Sequence, residues 1–164
     1  MLPEMTLKAG DPIPNAAVQV FNGSELQDVA MADYCAHGTT VLFAVPGAFT
    51  PACSARHLPG FLEHAAALKA KGVDRIACIA VNDVFVMQAW CRVNQACGKI
   101  DMLADGNATF AKMTGLFSDA SAWGMGIRSQ RYAMIIRDGV VQKLFVDEPG
   151  AFEVSAAQYV LKHL

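Results

Sequence analysis

The sequence predicts a mixed α/β protein: a central sheet of parallel and antiparallel strands with helices on both faces. Three observations carry this. Two short apolar runs, 39–45 and 75–81, lack alternation and read as strands buried on both faces. Helical stretches at 51–71, 84–96 and 107–113 alternate with strands, and such crossovers join strands that run parallel. Near the end, Asp138-Gly139 separates two further strand-like runs, the signal of a two-residue hairpin and hence of antiparallel strands.

The elements follow in chain order. Asp11-Pro12-Ile13-Pro14 is extended, because proline disfavours helix at the residue before it. Residues 17–21 form a strand that stops at the turn Asn22-Gly23. After the buried strand 39–45, the stretch 51–71 is helical, with a break at Pro59-Gly60 where proline removes one backbone bond. The next buried strand, 75–81, leads to a helix over 84–96 with Asn82 or Asp83 as its N-cap. A short strand at 100–103 and a short helix at 107–113 come next. The hairpin 132–137 and 140–145 precedes a closing helix at 155–164. No repeat or linker interrupts the chain, and 164 residues suit one domain over 1–164.

Composition narrows the function. A formal charge of −2 with no basic cluster argues against a nucleic-acid partner. The run 41–45 is far shorter than the roughly 20 apolar residues that span a bilayer, so no membrane segment is expected. Residues 1–10 mix Glu4 and Lys8 without an apolar core, unlike a secretory signal, and are poor in the Arg and Ser of a transit peptide. Five cysteines at irregular spacing, with no CxxC, do not make a disulfide framework. A reducing compartment, the cytoplasm, is expected.

The segment 45–54 then stands out. Thr50 is a suitable N-cap, Pro51 suits the first helical position, and Cys53 falls in the first turn. Unpaired amides and the helix dipole there favour thiolate over thiol, pulling a cysteine pKa below about 8.5. The segment also follows a parallel strand, and ligands bind at the carboxyl ends of such strands. Cys53 could exchange disulfides, but no second cysteine lies close in sequence. It could pair with His57 at i+4, but nothing in the sequence orients that ring, and helix or surface packing suits His57 better. It could join His57, His64 or Cys91 on a metal, but the spacing fits no zinc site, so no metal is expected.

The residues at 46–54, Pro-Gly-Ala-Phe-Thr-Pro-Ala-Cys-Ser, contain the PxxxTxxC pattern and resemble the peroxiredoxins. His57-Leu58-Pro59-Gly60-Phe61 resembles the peroxiredoxin 5, or type II, branch. So do, in order, the segments at 78–87, Leu103-Ala104-Asp105-Gly106 and 126–132. The resemblance implies a thioredoxin-like fold and a thiol peroxidase that needs no cofactor. It makes Cys53 the peroxide-attacking thiol. Thr50 would hydrogen-bond the sulfur and the peroxide, Arg128 would stabilise the thiolate and orient the peroxide, and Pro46 would shield the pocket. Fixed donors aimed at the leaving oxygen lower the barrier, and the planar, permanently charged guanidinium can touch sulfur and oxygen together. Read without the family, Arg128 would be a surface salt bridge.

Attack leaves a sulfenic acid that a second thiol must resolve. Type II members of plants carry a resolving cysteine at the Cys78 position. Cys78 lies mid-strand, on the order of 10 Å below the sheet edge, whereas a disulfide needs Cα atoms within about 7 Å. The helix of Cys53 would have to unwind to reach it. Otherwise an external thiol serves, glutathione with glutaredoxin, or thioredoxin. Cys91 and Cys97, six apart on one predicted helix, do not share a face, and Cys35 is a packing cysteine. Phe49, Phe85, Met87 and Trp90 are candidates for core, pocket or subunit contact, and the family resemblance implies a homodimer. A disulfide reductase is disfavoured by the missing CxxC, and a non-catalytic redox sensor would turn over slowly with excess thiol.

Overall fold

The computed structural model describes residues 6–51 and 53–164, with the side chains of all of these except Cys53 and Ser54. Strands β1 (Ala17–Phe21) and β2 (Leu26–Ala30) form a hairpin, followed by the short helix α1 (Met31–Tyr34). Strand β3 (Thr39–Ala44) leads through a π-helical turn, Cys53–His57, into α2 (Leu58–Ala70). Then come β4 (Arg75–Ala80), α3 (Val84–Val93), β5 (Asp101–Ala104) and α4 (Thr109–Thr114). The chain ends with β6 (Phe117–Asp119), a 3-10 turn at Ser121–Trp123, β7 (Ile127–Ser129), β8 (Tyr132–Arg137), β9 (Val140–Val146) and α5 (Ala157–Lys162).

Seven strands form one sheet in the order β2-β1-β5-β4-β3-β8-β9, while β6 and β7 pair separately. The crossover helices make β3, β4 and β5 parallel, and β8 and β9 are antiparallel around Asp138-Gly139. Both turn residues have positive φ, 49° and 81°, the backbone a two-residue hairpin requires. Strand β1 departs from the expected parallel set. It runs antiparallel to β5, because a hairpin to β2 rather than a helical crossover follows it.

All six residues of β3 are buried, and its side chains alternate between two cores. Val41, Phe43 and Val45 meet α2, α3 and α5 on one face, together with Cys78, Met102 and Ile135. Leu42 and Ala44 meet Met31 of α1 and Phe110 of α4 on the other. A sheet covered on both sides explains why its central strands are apolar throughout.

The predicted break at Pro59-Gly60 appears as a change of helix type. Pro59 sits in the first turn of α2, where its missing N–H is harmless. It cannot donate back to Ala55, so the preceding turn is not continuous α-helix and takes the wider π form over Cys53–His57. Helix α3 stops at Val93 rather than 96, and Asp83 caps it by accepting from Val86 N at 2.9 Å.

The loop after β9 is organised by the buried carboxylate of Asp147. It accepts from the backbone amides of Glu153 (3.0 Å), Val154 (2.8 Å) and Ser155 (3.3 Å), and from the Ser155 hydroxyl. Removing it leaves amides without acceptors. Asp147→Ala is expected to lower unfolding free energy by about 2–4 kcal/mol in urea denaturation.

Candidate active site

The site is built at the carboxyl ends of β3 and β4. The backbone leaves β3, and the amide of Thr50 turns back onto Gly47 O at 3.3 Å. The Thr50 hydroxyl donates to the same carbonyl at 2.6 Å, which keeps its lone pairs as acceptors. Phe49, between them, has φ 66°, a left-handed conformation rare for an aromatic residue, and is 51% exposed. Such strain persists only where surrounding contacts enforce it. One of these is Asn82, from the end of β4, whose Oδ1 accepts from Ala48 N at 2.9 Å. The sequence offered Asn82 as a helix cap; it ties two site loops together instead.

Arg128 lies on β7, held opposite Ser118 of β6. Its Nε donates to Met125 O at 2.9 Å and its Nη1 to Val81 O at 3.1 Å. Among the described residues no carboxylate lies within ion-pair distance of it, so the surface salt bridge is not formed. The charge is fixed in place by carbonyl dipoles, and no carboxylate among the described residues compensates it. A Cβ built on Gly47 would lie 3.2 Å from Arg128 Nη1 and 3.2 Å from Thr50 Cγ2. Glycine is therefore what lets Arg128 and Thr50 approach one another across the backbone. Pro46, partly buried, forms part of the wall of a neighbouring cavity of about 470 Å³, which Arg56, Arg131 and Phe152 also line.

Cys53 opens the π-helical turn that follows. Its side chain lies outside the described residues. At the other end of that turn His57 is fully buried rather than on the surface, its ring 4.9 Å from both Phe43 and Phe152. Arg131 Nη1 donates to His57 Nδ1 at 2.8 Å, and since arginine is only a donor, Nδ1 carries no proton. Nε2 therefore holds the proton and donates to Ser155 O at 3.1 Å. Burial, and then the Arg131 charge, push the imidazole pKa down to about 3. With both nitrogens engaged, His57 anchors the Cys53 turn and is not a base for a Cys–His pair. Nothing in the sequence pointed to Arg131 or Asp147 as its support: Arg131 reaches it across 74 residues of chain, and Asp147 acts through Ser155, which is 98 residues from His57.

Cys78 is fully buried in β4, between Phe43 of β3 and Met102 of β5, on the sheet face that packs against α2. Cys35 is buried on the opposite face, where loss of hydration raises its thiol pKa to about 11. Cys91 and Cys97 correct the sequence reading. Because α3 ends at Val93, the chain turns back and their Cα atoms lie 5.3 Å apart in a disulfide. Among the described residues no group of three His, Cys, Asp or Glu side chains converges as a metal site requires.

The Redoxin family profile matches residues 8–161. The chain belongs to this family, among its peroxiredoxins. Peroxiredoxin-2E-2, chloroplastic, of Oryza sativa subsp. japonica is 47% identical over 97% of this chain and 73% of its own length. Reduced Prx3 of Vibrio vulnificus, solved in complex with hydrogen peroxide, superposes with a TM-score of 0.92 at 47% identity, covering 96% of this chain and 99% of that one. Peroxiredoxin 5 of Alvinella pompejana gives a TM-score of 0.82 at 33% identity, over 95% and 96% of the two chains. The fold is thioredoxin-like, and this peroxiredoxin of the type II branch is a thiol peroxidase, an oxidoreductase that uses peroxide and a thiol reductant.

Two expectations follow from the geometry. Gly47→Ala adds a methyl group between Arg128 and Thr50, both pinned by hydrogen bonds. Peroxide turnover is expected to fall about tenfold or more while the urea midpoint stays near wild type. His57 gives the second. Unfolded, it protonates near pH 6.5; folded, only near pH 3. Between these values the unfolded chain binds the extra proton, so stability is present above pH 6.5 and is lost as pH falls. From pH 7 to pH 5 the loss is on the order of 2 kcal/mol. His57→Gln should remove most of that difference in urea denaturation at the two pH values.

Proposed function

We propose that Cys53, as thiolate, attacks one oxygen of hydrogen peroxide or an alkyl hydroperoxide. The sulfur–oxygen bond forms as the oxygen–oxygen bond breaks, and hydroxide or alkoxide leaves to take up a proton. The product on the protein is Cys53 sulfenic acid. Arg128 stabilises the thiolate and then the charge growing on the leaving oxygen. Thr50 accepts a hydrogen bond from the peroxide, and Pro46 keeps bulk water from the reacting atoms. The observation that carries this reading is the meeting of Arg128 and Thr50 across Gly47 at the start of the Cys53 turn. A cation held by two carbonyls needs no rearrangement when charge develops.

Recycling is assigned to an external thiol, glutathione with glutaredoxin, or thioredoxin. The full burial of Cys78 beneath α2 supports this over internal resolution by Cys78. The incoming thiolate attacks the sulfenic sulfur and releases water, and a second thiol then frees Cys53. The cavity beside Pro46, with the exposed Arg56 over the Phe152 ring at 5.0 Å, is the approach for that thiol. A homodimer in the cytoplasm completes the reading. The large exposure of Phe49, 51%, in the loop after β3, and of Phe85, 69%, in the first turn of α3, supports an apolar contact there.

Cys53→Ser is expected to reduce peroxide consumption with dithiothreitol to the uncatalysed background, while circular dichroism matches wild type. Retained turnover in a folded variant would move the reacting thiol elsewhere.

A further inference from the structure

The Cys91–Cys97 pair lies outside everything assigned to the peroxide site. Helix α3 ends at Val93, and Gln95 turns the chain with φ 57°. Ala96 N then donates back to Cys91 O at 2.9 Å, and Lys99 and Ile100 both donate to Ala96 O. This closed turn sets the two Cα atoms 5.3 Å apart, inside the range that a disulfide bridges without backbone movement. The two sulfurs are not equivalent. Cys91 is fully buried among the core side chains, whereas Cys97 is only partly buried. The turn is also a packing element, since a Cβ on Gly23 of the β1–β2 turn would overlap the Gly98 backbone.

We propose that Cys91 and Cys97 form a second redox centre, which closes and opens independently of Cys53 and exchanges with small thiols through Cys97. Closure uses the peroxide the enzyme already meets. The Cys97 sulfur attacks a peroxide oxygen, the oxygen–oxygen bond breaks, and the departing hydroxide takes a proton to become water. Cys91 then attacks the Cys97 sulfenic sulfur, forming the disulfide and expelling a second water. In sum two thiols lose two electrons and two protons, and one hydrogen peroxide becomes two waters. Opening runs through the reachable sulfur. A thiolate such as that of glutathione attacks Cys97, and Cys91 leaves into the core and takes a proton. A second thiol then releases Cys97 and departs as the disulfide of the reductant. The closed form pins the last turn of α3 to the turn that leads into β5; the open form leaves that turn to its backbone bonds alone.

The Cys53→Ser/Cys78→Ser double variant tests this, because only Cys35, Cys91 and Cys97 remain. After hydrogen peroxide, its mass should fall by two hydrogen atoms, with peptides containing Cys91 and Cys97 cross-linked. Glutathione should reverse both changes through an adduct on Cys97, and amide exchange over 94–100 should be slower in the closed form. Differential alkylation of wild-type protein should show the same two thiols protected together, which covers the case of a double variant that does not fold. Cys97→Ser should retain wild-type peroxide turnover. Persistently alkylatable Cys91 and Cys97, over-oxidation of Cys97 without a cross-link, or a severalfold loss of turnover in Cys97→Ser would overturn the proposal.

Discussion

The guanidinium of Arg128 is held by carbonyls from two separate segments, Met125 and Val81, and lies against Gly47. The rest of the site depends on that placement. Val81 directly follows β4, Gly47 follows β3, and Arg128 itself comes from the small β6–β7 hairpin, so three parts of the chain must be in position for one cation to be. Carbonyl acceptors orient the group without neutralising it. A carboxylate partner would hold Arg128 equally well but cancel its field, and among the described residues it has none.

A second constraint holds the Cys53 turn from behind. His57 shares that turn and is clamped by Arg131 on one nitrogen and the Ser155 carbonyl on the other. Ser155 is in turn fixed by Asp147. A buried, neutral, doubly engaged histidine is a structural pin whose protonation is resisted by the fold. The site is thus anchored to the front by Asn82 and Gly47 and to the back by the loop after β9. Pro59 lets the turn take the π form by interrupting the ladder of bonds behind it.

Much of the architecture was legible because burial on both faces writes itself into composition. The runs at 39–45 and 75–81 and the Asp138-Gly139 turn all appear where the sequence put them. Strands β2, β6 and β7 were not visible, since they are short and carry no apolar pattern, and β2 and β6 are largely exposed. The antiparallel setting of β1 depends on a partner far along the chain. At the site, Thr50, Cys53 and Arg128 stood out through local motifs. Their supports did not: Asn82 and Arg131 reach the site across 34 and 74 residues of chain, and Asp147 acts on it only indirectly, by fixing Ser155, whose carbonyl meets His57. The Cys91–Cys97 bond was hidden for a simpler reason, that extending α3 to 96 points the two side chains apart.

The central claim is that Arg128, fixed and unneutralised, sets the reactivity of Cys53. Its most direct test is the pH dependence of Cys53 alkylation by iodoacetamide, read at that residue by mass spectrometry in wild type and Arg128→Ala. The account predicts a wild-type midpoint below the roughly 8.5 of an unperturbed thiol, and a midpoint higher by about one unit or more in the variant. Coincident profiles would contradict it.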